Sequence, residues 1–340
     1  MADFPYVSHR PFPADRLAVV FGGSGFIGRH VVRGLVKRGW RVRVAVRRPD
    51  LANFLQPIGV VGQINAVQAN LRFPASIDAA LVGADAAINL VGVKKQRGAQ
   101  RFDAVHVEGA AALAHAAAAR GLPFVHMSGI GADAGSPSPY IASKGRGEQA
   151  VRAAEPAAIV LRPSIVFGPE DDFFNRFGLL ACYSPALPLF GGGRTKLQPV
   201  YVGDVAEAAA RALEDEGARG RTYELGGPEI MTFRQVVEFV CRTAERRRIF
   251  VNTPFPLAAG LAAVTEFADR ISFGFFPKAL TMTRDDIALL RTDNVVSPEA
   301  IAAGLTLAGL GIEPEAVEAI APAYLYRFRR SGQYADSRFA

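Results

Sequence analysis

A serine, a tyrosine and a lysine follow one another in an order that suits proton transfer at a carbonyl. Tyr140 and Lys144 stand four apart in YIASK, so a helix carries both on one face. An ammonium one turn from a phenol favours the phenolate and is expected to lower the tyrosine's pKa. Ser128 follows the apolar run Pro123–Met127, where it can hold the oxygen that Tyr140 protonates. The YxxxK spacing recurs by chance in many chains. Its meaning depends on the elements that position it.

The first such element is FGGSGFIG, residues 21–28, between the apolar run Leu17–Phe21 and a helical pattern from Phe26 to Arg38. Gly22, Gly25 and Gly28 form GxxGxxG at the end of a predicted strand. Glycine there permits a tight turn, close approach of backbone N–H groups to a pyrophosphate, and close helix–strand packing. The following helix points its positive end at the phosphates. Gly22, Ser24, Gly25, Phe26, Ile27 and Gly28 are therefore the expected dinucleotide cradle. The second strand, Val42–Val46, ends in Arg47-Arg48, with no acid before Asp50. An acid at this place selects NAD(H), whereas arginine accommodates a 2′-phosphate. NADP(H) is the expected cofactor, with Arg47 and Arg48 as the expected residues for its 2′-phosphate, the alternative being that one of the two, Arg48, faces solvent.

Strand-like and helix-like segments alternate through the first two thirds of the chain. After the second strand come Gln63–Gln68, a helix Ser76–Val82, Ala86–Val91, the alanine-rich helix His106–Arg120, Pro123–Met127, a helix Tyr140–Ala154 and Ala158–Arg162. This alternation predicts an α/β fold of Rossmann type, a doubly wound parallel sheet with helices on both faces. Continuously apolar strands fit burial on both sides. After Gly168 prolines and glycines break the pattern, and helices return around Asp204–Leu213 and Thr232–Ala244. The expected organisation is an N-terminal extension (1–15), a nucleotide-binding domain (16–168), a region completing the sheet and forming a smaller discontinuous C-terminal lobe (169–325), and a tail (326–340).

The composition excludes several functions. Two cysteines, Cys182 and Cys241, without metal-ligand spacing, give neither a disulfide framework nor a structural metal. No secretory signal is expected, and the longest nearly uncharged stretch, Asn252–Thr265, is too short to span a bilayer. The net charge of +7 favours nucleotide phosphates, an anionic lipid surface or an acidic protein. Nucleic acid is not an expected partner, because no aromatic-interleaved basic stripe is present.

The glycine loop, the strand ending NLVG (Asn89–Gly92), Ser128, YIASK and LRPSIVFGP (Leu161–Pro169) together resemble the extended, atypical short-chain dehydrogenase/reductase superfamily from about residue 16 to 230. That resemblance implies adenine contacts at Asn70, Leu71, Leu90, Val91 and Gly92. It implies nicotinamide-ribose contacts at Tyr140 and Lys144, and nicotinamide contacts at Pro163, Ser164, Ile165 and Val166. A narrower resemblance covers nearly the whole chain. The segments 168–177, 191–208, 280–297 and LGIEP (Leu310–Pro314) are similar to the family of accessory NADPH-binding subunits of respiratory complex I. It implies a tightly held structural NADPH, other complex I subunits as partners, and a peripheral place on the cytoplasmic face of a bacterial inner membrane or on the mitochondrial matrix face. One departure stands against catalysis. Where extended reductases carry NVxG, this chain reads His106-Val107-Glu108-Gly109, so His106 is either a replacement relay member or a satisfied helix histidine.

Three readings follow. The chain is a non-catalytic NADPH-holding subunit of a large redox complex, a free-standing NADP(H)-dependent reductase or epimerase, or a nucleotide sensor without a fixed assembly. In the C-terminal lobe, Arg246–Arg248 precede the apolar stretch Pro254–Val264, with Phe273, Phe275 and Phe276 behind it. Such a pattern suits either docking on lipid headgroups or another subunit, or an ordinary core helix.

Overall fold

The computed structural model describes residues 16–96, 98–271 and 283–330. The N-terminal extension, Phe273, Phe275, Phe276, the start of the 280–297 segment and residues 331–340 lie outside them. Six parallel strands, β1 (Leu17–Phe21), β2 (Arg41–Val46), β3 (Ile64–Gln68), β4 (Ala86–Asn89), β5 (Phe124–Met127) and β6 (Ile159–Pro163), make most of the central sheet. Four short strands then lie outside it: β7 (Val166–Phe167), β8 (Ala186–Phe190), β9 (Lys196–Leu197) and β10 (Val200–Tyr201). Only after these does β11 (Thr222–Leu225) return to pair in parallel with β6. The sheet order is β3-β2-β1-β4-β5-β6-β11. The order reverses between β1 and β4, which is where a doubly wound sheet opens its ligand crevice.

Alternate residues of each strand serve opposite faces. Val20, Val44, Ile88, Val125 and Leu161 pack beneath α1 (Phe26–Lys37) and α6 (Val202–Glu214). Val19, Phe21, Ala87 and Phe124 pack beneath α2 (Pro74–Leu81), α3 (Gly109–Ala118) and α4 (Pro139–Ala154). The alanines of α3 are contact residues. Ala110, Ala114 and Ala117 are fully buried, and a Cβ on Gly147 of α4 would sit 2.2 Å from the His106 carbonyl oxygen.

Two of the boundaries that differ from expectation change the local structure. The run 86–91 leaves the sheet at Asn89, whose Oδ1 accepts the N–H of Val91 at 3.1 Å and turns the chain outward. The helix expected from His106 begins as a widened π-helical turn, Asp103–Glu108, before the regular α3.

The C-terminal lobe has its own aromatic core, with Phe167, Phe174, Phe177, Phe190 and Phe233 in contact. It uses α5 (Phe173–Tyr183), α7 (Phe233–Thr243), α8 (Phe255–Ile271), α9 (Arg284–Leu289), α10 (Pro298–Ala302), α11 (Val317–Ile320) and α12 (Pro322–Leu325). β12 (Met231–Thr232) and β13 (Ile249–Thr253) pair with β9 and β8, while β10 pairs with β7. Buried Asp171 accepts from the Tyr324 hydroxyl at 2.8 Å and from the Gly168 N–H at 3.2 Å, fastening the chain's end to the segment after β7.

Candidate functional site

The glycines of the loop after β1 do three different jobs. Gly22 adopts φ +82°, and a Cβ there would lie 3.1 Å from the Leu90 carbonyl carbon. The glycine loop and the β4 exit thus lie side by side at the sheet's reversal. Gly28 is where helix meets strand, its Cβ position only 2.3 Å from the Gly22 oxygen. Gly25 is exposed with an ordinary φ of −72°, and a Cβ there would meet only the Gly22 oxygen, at 3.3 Å. Helix α1 has no side-chain cap and no acid in its first turn. The N–H groups of Phe26, Ile27 and Gly28 are left for an anion beside Ser24 and Gly25.

At the end of β2 the two arginines separate. Arg48 pairs with Asp50 at 3.1 Å, both exposed, whereas Arg47 is exposed and takes no partner among the described residues. Past β3, Asn70 Oδ1 accepts the Arg72 N–H at 3.2 Å and holds the turn that presents Asn70, while Leu71 is buried against Gly109. Leu90 and Val91 are half-buried and Gly92 is exposed, close to the Lys144 Nζ and His106 Nε2 atoms.

Helix α4 starts where the sequence supplies a cap: Ser138 accepts from the Ile141 N–H, and Pro139 is the first helical residue. Tyr140 and Lys144 follow on one face. The Tyr140 ring is held edge-on by Phe102 (5.7 Å between centroids) and His106 (5.8 Å). The expectation that Lys144 lowers the tyrosine's pKa is not met. Burial, reinforced by the Asp286 and Asp285 carboxylates, pushes the phenol up to about 12. Lys144 instead donates to the Met127 carbonyl at 3.3 Å, and burial holds its ammonium down to about 8.

Ser128 is buried, and its hydroxyl has no hydrogen-bond partner among the described residues. An orphaned buried hydroxyl is costly and belongs where a ligand completes it. With the uncapped helix α1, it makes this end of the sheet fit for a dinucleotide.

His106 resolves as a satisfied histidine. Its Nε2 accepts the Val93 N–H at 3.0 Å, so its Nδ1 donates to Ser143 Oγ at 2.8 Å, and Ser143 donates to the Tyr140 carbonyl at 2.7 Å. No ring nitrogen is left for a proton relay, and burial holds the imidazole neutral with its pKa down to about 3. Of the expected nicotinamide contacts, Ser164 spends its hydroxyl on Asn294, at 2.6 Å to Oδ1 and 2.9 Å to the carbonyl oxygen. Pro163, Ile165 and Val166 line the exit of β6 beside it.

Sequence reasoning missed the acids of α9. Asp285 accepts from the Ser138 hydroxyl at 2.8 Å, and Asp286 pairs with Arg176 at 3.3 Å, bringing two carboxylates towards Tyr140. Thr283 with Asp286 makes a capping box that marks the start of this helix. Nothing in that signal says which part of the sheet domain the helix touches.

The family model of the NAD dependent epimerase/dehydratase family matches residues 18–226. A mitochondrial NADH dehydrogenase [ubiquinone] 1 alpha subcomplex subunit 9 from Arabidopsis thaliana is 34% identical over 321 residues, covering 93% of this chain and 79% of the relative. A ceramide reductase from Caulobacter vibrioides is 37% identical over 222 residues, 65% of this chain and 66% of that protein. The crystal structure of gox2253 superposes with a TM-score of 0.68 at 26% identity, covering 93% of this chain and 99% of that one. The chain belongs to the NAD dependent epimerase/dehydratase family, in the line of the complex I subunits it matches across nearly its whole length.

Proposed function

We propose that this protein is an accessory subunit of respiratory complex I that holds NADPH as a fixed structural element and supports assembly or stability where the peripheral and membrane arms meet. The observation that carries this reading is the extent of the likeness. The complex I subunits match over 321 residues, 93% of this chain, so the likeness runs past residue 226, where the family model ends, into the C-terminal lobe. NADPH, when bound, brings a hydride donor and a 2′-phosphate. On the chain's side, Ser24–Gly28 and the first turn of α1 hold the pyrophosphate. Arg47 meets the 2′-phosphate, Asn70, Leu71 and Leu90–Gly92 flank the adenine, and Tyr140 with Lys144 holds the nicotinamide ribose. Ser128, Pro163, Ile165 and Val166 bound the nicotinamide. Both ring nitrogens of His106 are committed, so it supplies no proton relay to Tyr140. Its partners in this reading are other complex I subunits and anionic lipid headgroups, on the cytoplasmic face of a bacterial inner membrane or the mitochondrial matrix face. Among the described residues no helix is long and apolar enough to cross a membrane.

A second reading, a free-standing NADP(H)-dependent reductase, is favoured by two observations: the Ser128 hydroxyl is buried without a partner among the described residues, and a ceramide reductase is among the relatives. Tyr140→Phe separates the two. A structural subunit keeps its NADPH, its co-migration with complex I on native gels and the complex's NADH:quinone activity. A reductase that depends on this acid loses roughly 10²–10⁴-fold in turnover while remaining folded.

A further inference from the structure

Helix α8 is turned the wrong way for a core helix. Its alanines face inward, Ala258 and Ala262 being 1% exposed, while Leu257, Leu261 and Val264 are 59%, 53% and 65% exposed. Positions 257, 261 and 264 follow the i, i+4, i+7 spacing of one helix face. Between residues 257 and 264 the lobe therefore buries small side chains of this helix and presents the large apolar ones.

At the root of this helix lies an open hollow of about 370 Å³, lined by Gly192, Gly193, Arg194, Thr232, Arg234 and Asn252. Gly192 and Gly193 take φ +76° and +73°, a backbone that side-chain-bearing residues rarely adopt, so the wall stays open beside the arginines. Arg194 is exposed. Arg234 reaches Glu238 at 3.3 Å and lies over the Phe250 ring, leaving half of its guanidinium side accessible. The Phe255 ring, in the first turn of α8, packs directly on Gly191, so the hollow and the helix share a wall.

We propose that this face is a monotopic membrane-docking surface, in which α8 lies in the headgroup layer and the hollow takes the phosphate of an anionic phospholipid. The inference rests on the membrane-side placement proposed above and names the surface responsible. Charge complementarity favours a lipid over a protein groove. Exposed Arg194 lines the hollow and exposed Arg291 lies over the Phe255 ring at 5.4 Å, while the acids Glu238 and Glu266 are each paired with an arginine. An apolar helix face rimmed by cations matches the bilayer boundary, with acyl chains beneath a layer of phosphates.

The test is flotation of the purified full-length protein with vesicles of phosphatidylcholine alone or mixed with phosphatidylglycerol. The wild type is expected to float with the mixed vesicles and not with phosphatidylcholine alone. Leu257→Ser with Leu261→Ser should weaken binding at least about tenfold, because two apolar side chains leave the acyl boundary. Arg194→Gln and Arg234→Gln should each weaken it about fivefold, with a smaller salt dependence. Wild-type protein that ignores the mixed vesicles overturns the proposal, as does flotation unaffected by the leucine changes. A double-serine variant that melts earlier without vesicles shows that the stripe is covered by the chain itself, which also overturns it. Loss of co-migration with complex I in that variant, without any vesicle binding by the wild type, assigns the face to a protein partner instead. Vesicle binding by a protein that never co-migrates with complex I leaves the docking face standing and removes the subunit reading.

Discussion

Arg47 and Arg48 are chemically alike and adjacent, yet of the two only Arg48 has a partner among the described residues. Arg48 is neutralised locally by Asp50, whereas Arg47 projects from the end of β2 with no described partner. Arg47→Asp is expected to weaken NADPH binding by roughly 1.5–3 kcal/mol per lost charge-assisted contact while leaving NADH binding nearly unchanged. Parallel titrations of both nucleotides check this, and equal losses would refute the assignment. Ser128, Tyr140 and Lys144 stand out in the sequence by side-chain type and spacing. Their protonation states were not readable. The phenol's environment is set partly by Asp285 and Asp286, which lie about 145 residues further along and arrive only through the fold. His106 shows the same limit. Its two nitrogens are satisfied by Val93 and Ser143, a backbone donor and a hydroxyl that give no sequence signature.

Among elements, the glycine loop separates folding from binding. Gly25 already has a φ that valine tolerates, it is exposed, and the one close contact its Cβ would make is with the Gly22 oxygen at 3.3 Å. Gly25→Val should therefore leave the cofactor-free melting temperature almost unchanged while abolishing the stabilisation by NADPH. That stabilisation is about 2.7 kcal/mol at a hundredfold excess over Kd. Thermal melts with and without NADPH measure both. A cofactor-free variant that melts much earlier would show Gly25 to be a packing residue like Gly28. The parallel sheet was legible because β1, β4, β5 and β6 are mostly apolar runs and β2 carries a valine at every second position, with helical patterns between them. β11 was not singled out: TYEL is four residues long, and its Glu224 points to Arg162 at 3.7 Å rather than into an apolar layer. The sidedness of α8 was equally hidden, since a helix apolar on nearly every face has no pattern to say which side is buried.

For the whole molecule, buried imidazoles set the response to acid. His126 lies in β5 beneath the sheet's faces, its Nδ1 accepting from Asn89 Nδ2 at 3.2 Å, and burial holds its pKa, like that of His106, down to about 3. An unfolded histidine titrates near 6.5, so between pH 3 and 6.5 the unfolded chain binds more protons than the native one. Their contribution is complete above pH 6.5 and is lost as pH falls through that window, at about 1.4 kcal/mol per pH unit for each ring. His126→Asn keeps an acceptor for Asn89 and should roughly halve that slope in urea titrations between pH 4 and 6. An unchanged slope would mean that His126 is not held neutral in the native state. Lys144 acts in another range: with its pKa down to about 8, stability should rise with pH from there towards 10.5. The late return of β11 bears on how the chain is made. Strand β6 is complete at residue 163, but the strand that covers its open edge ends at residue 225. At ribosomal rates of ~5–20 residues per second, that edge waits roughly 3–12 s for its neighbour. Throughout that interval the nascent chain offers unpaired N–H and C=O groups to any passing strand. Its dependence on chaperones during synthesis is therefore greatest while the C-terminal lobe is still emerging.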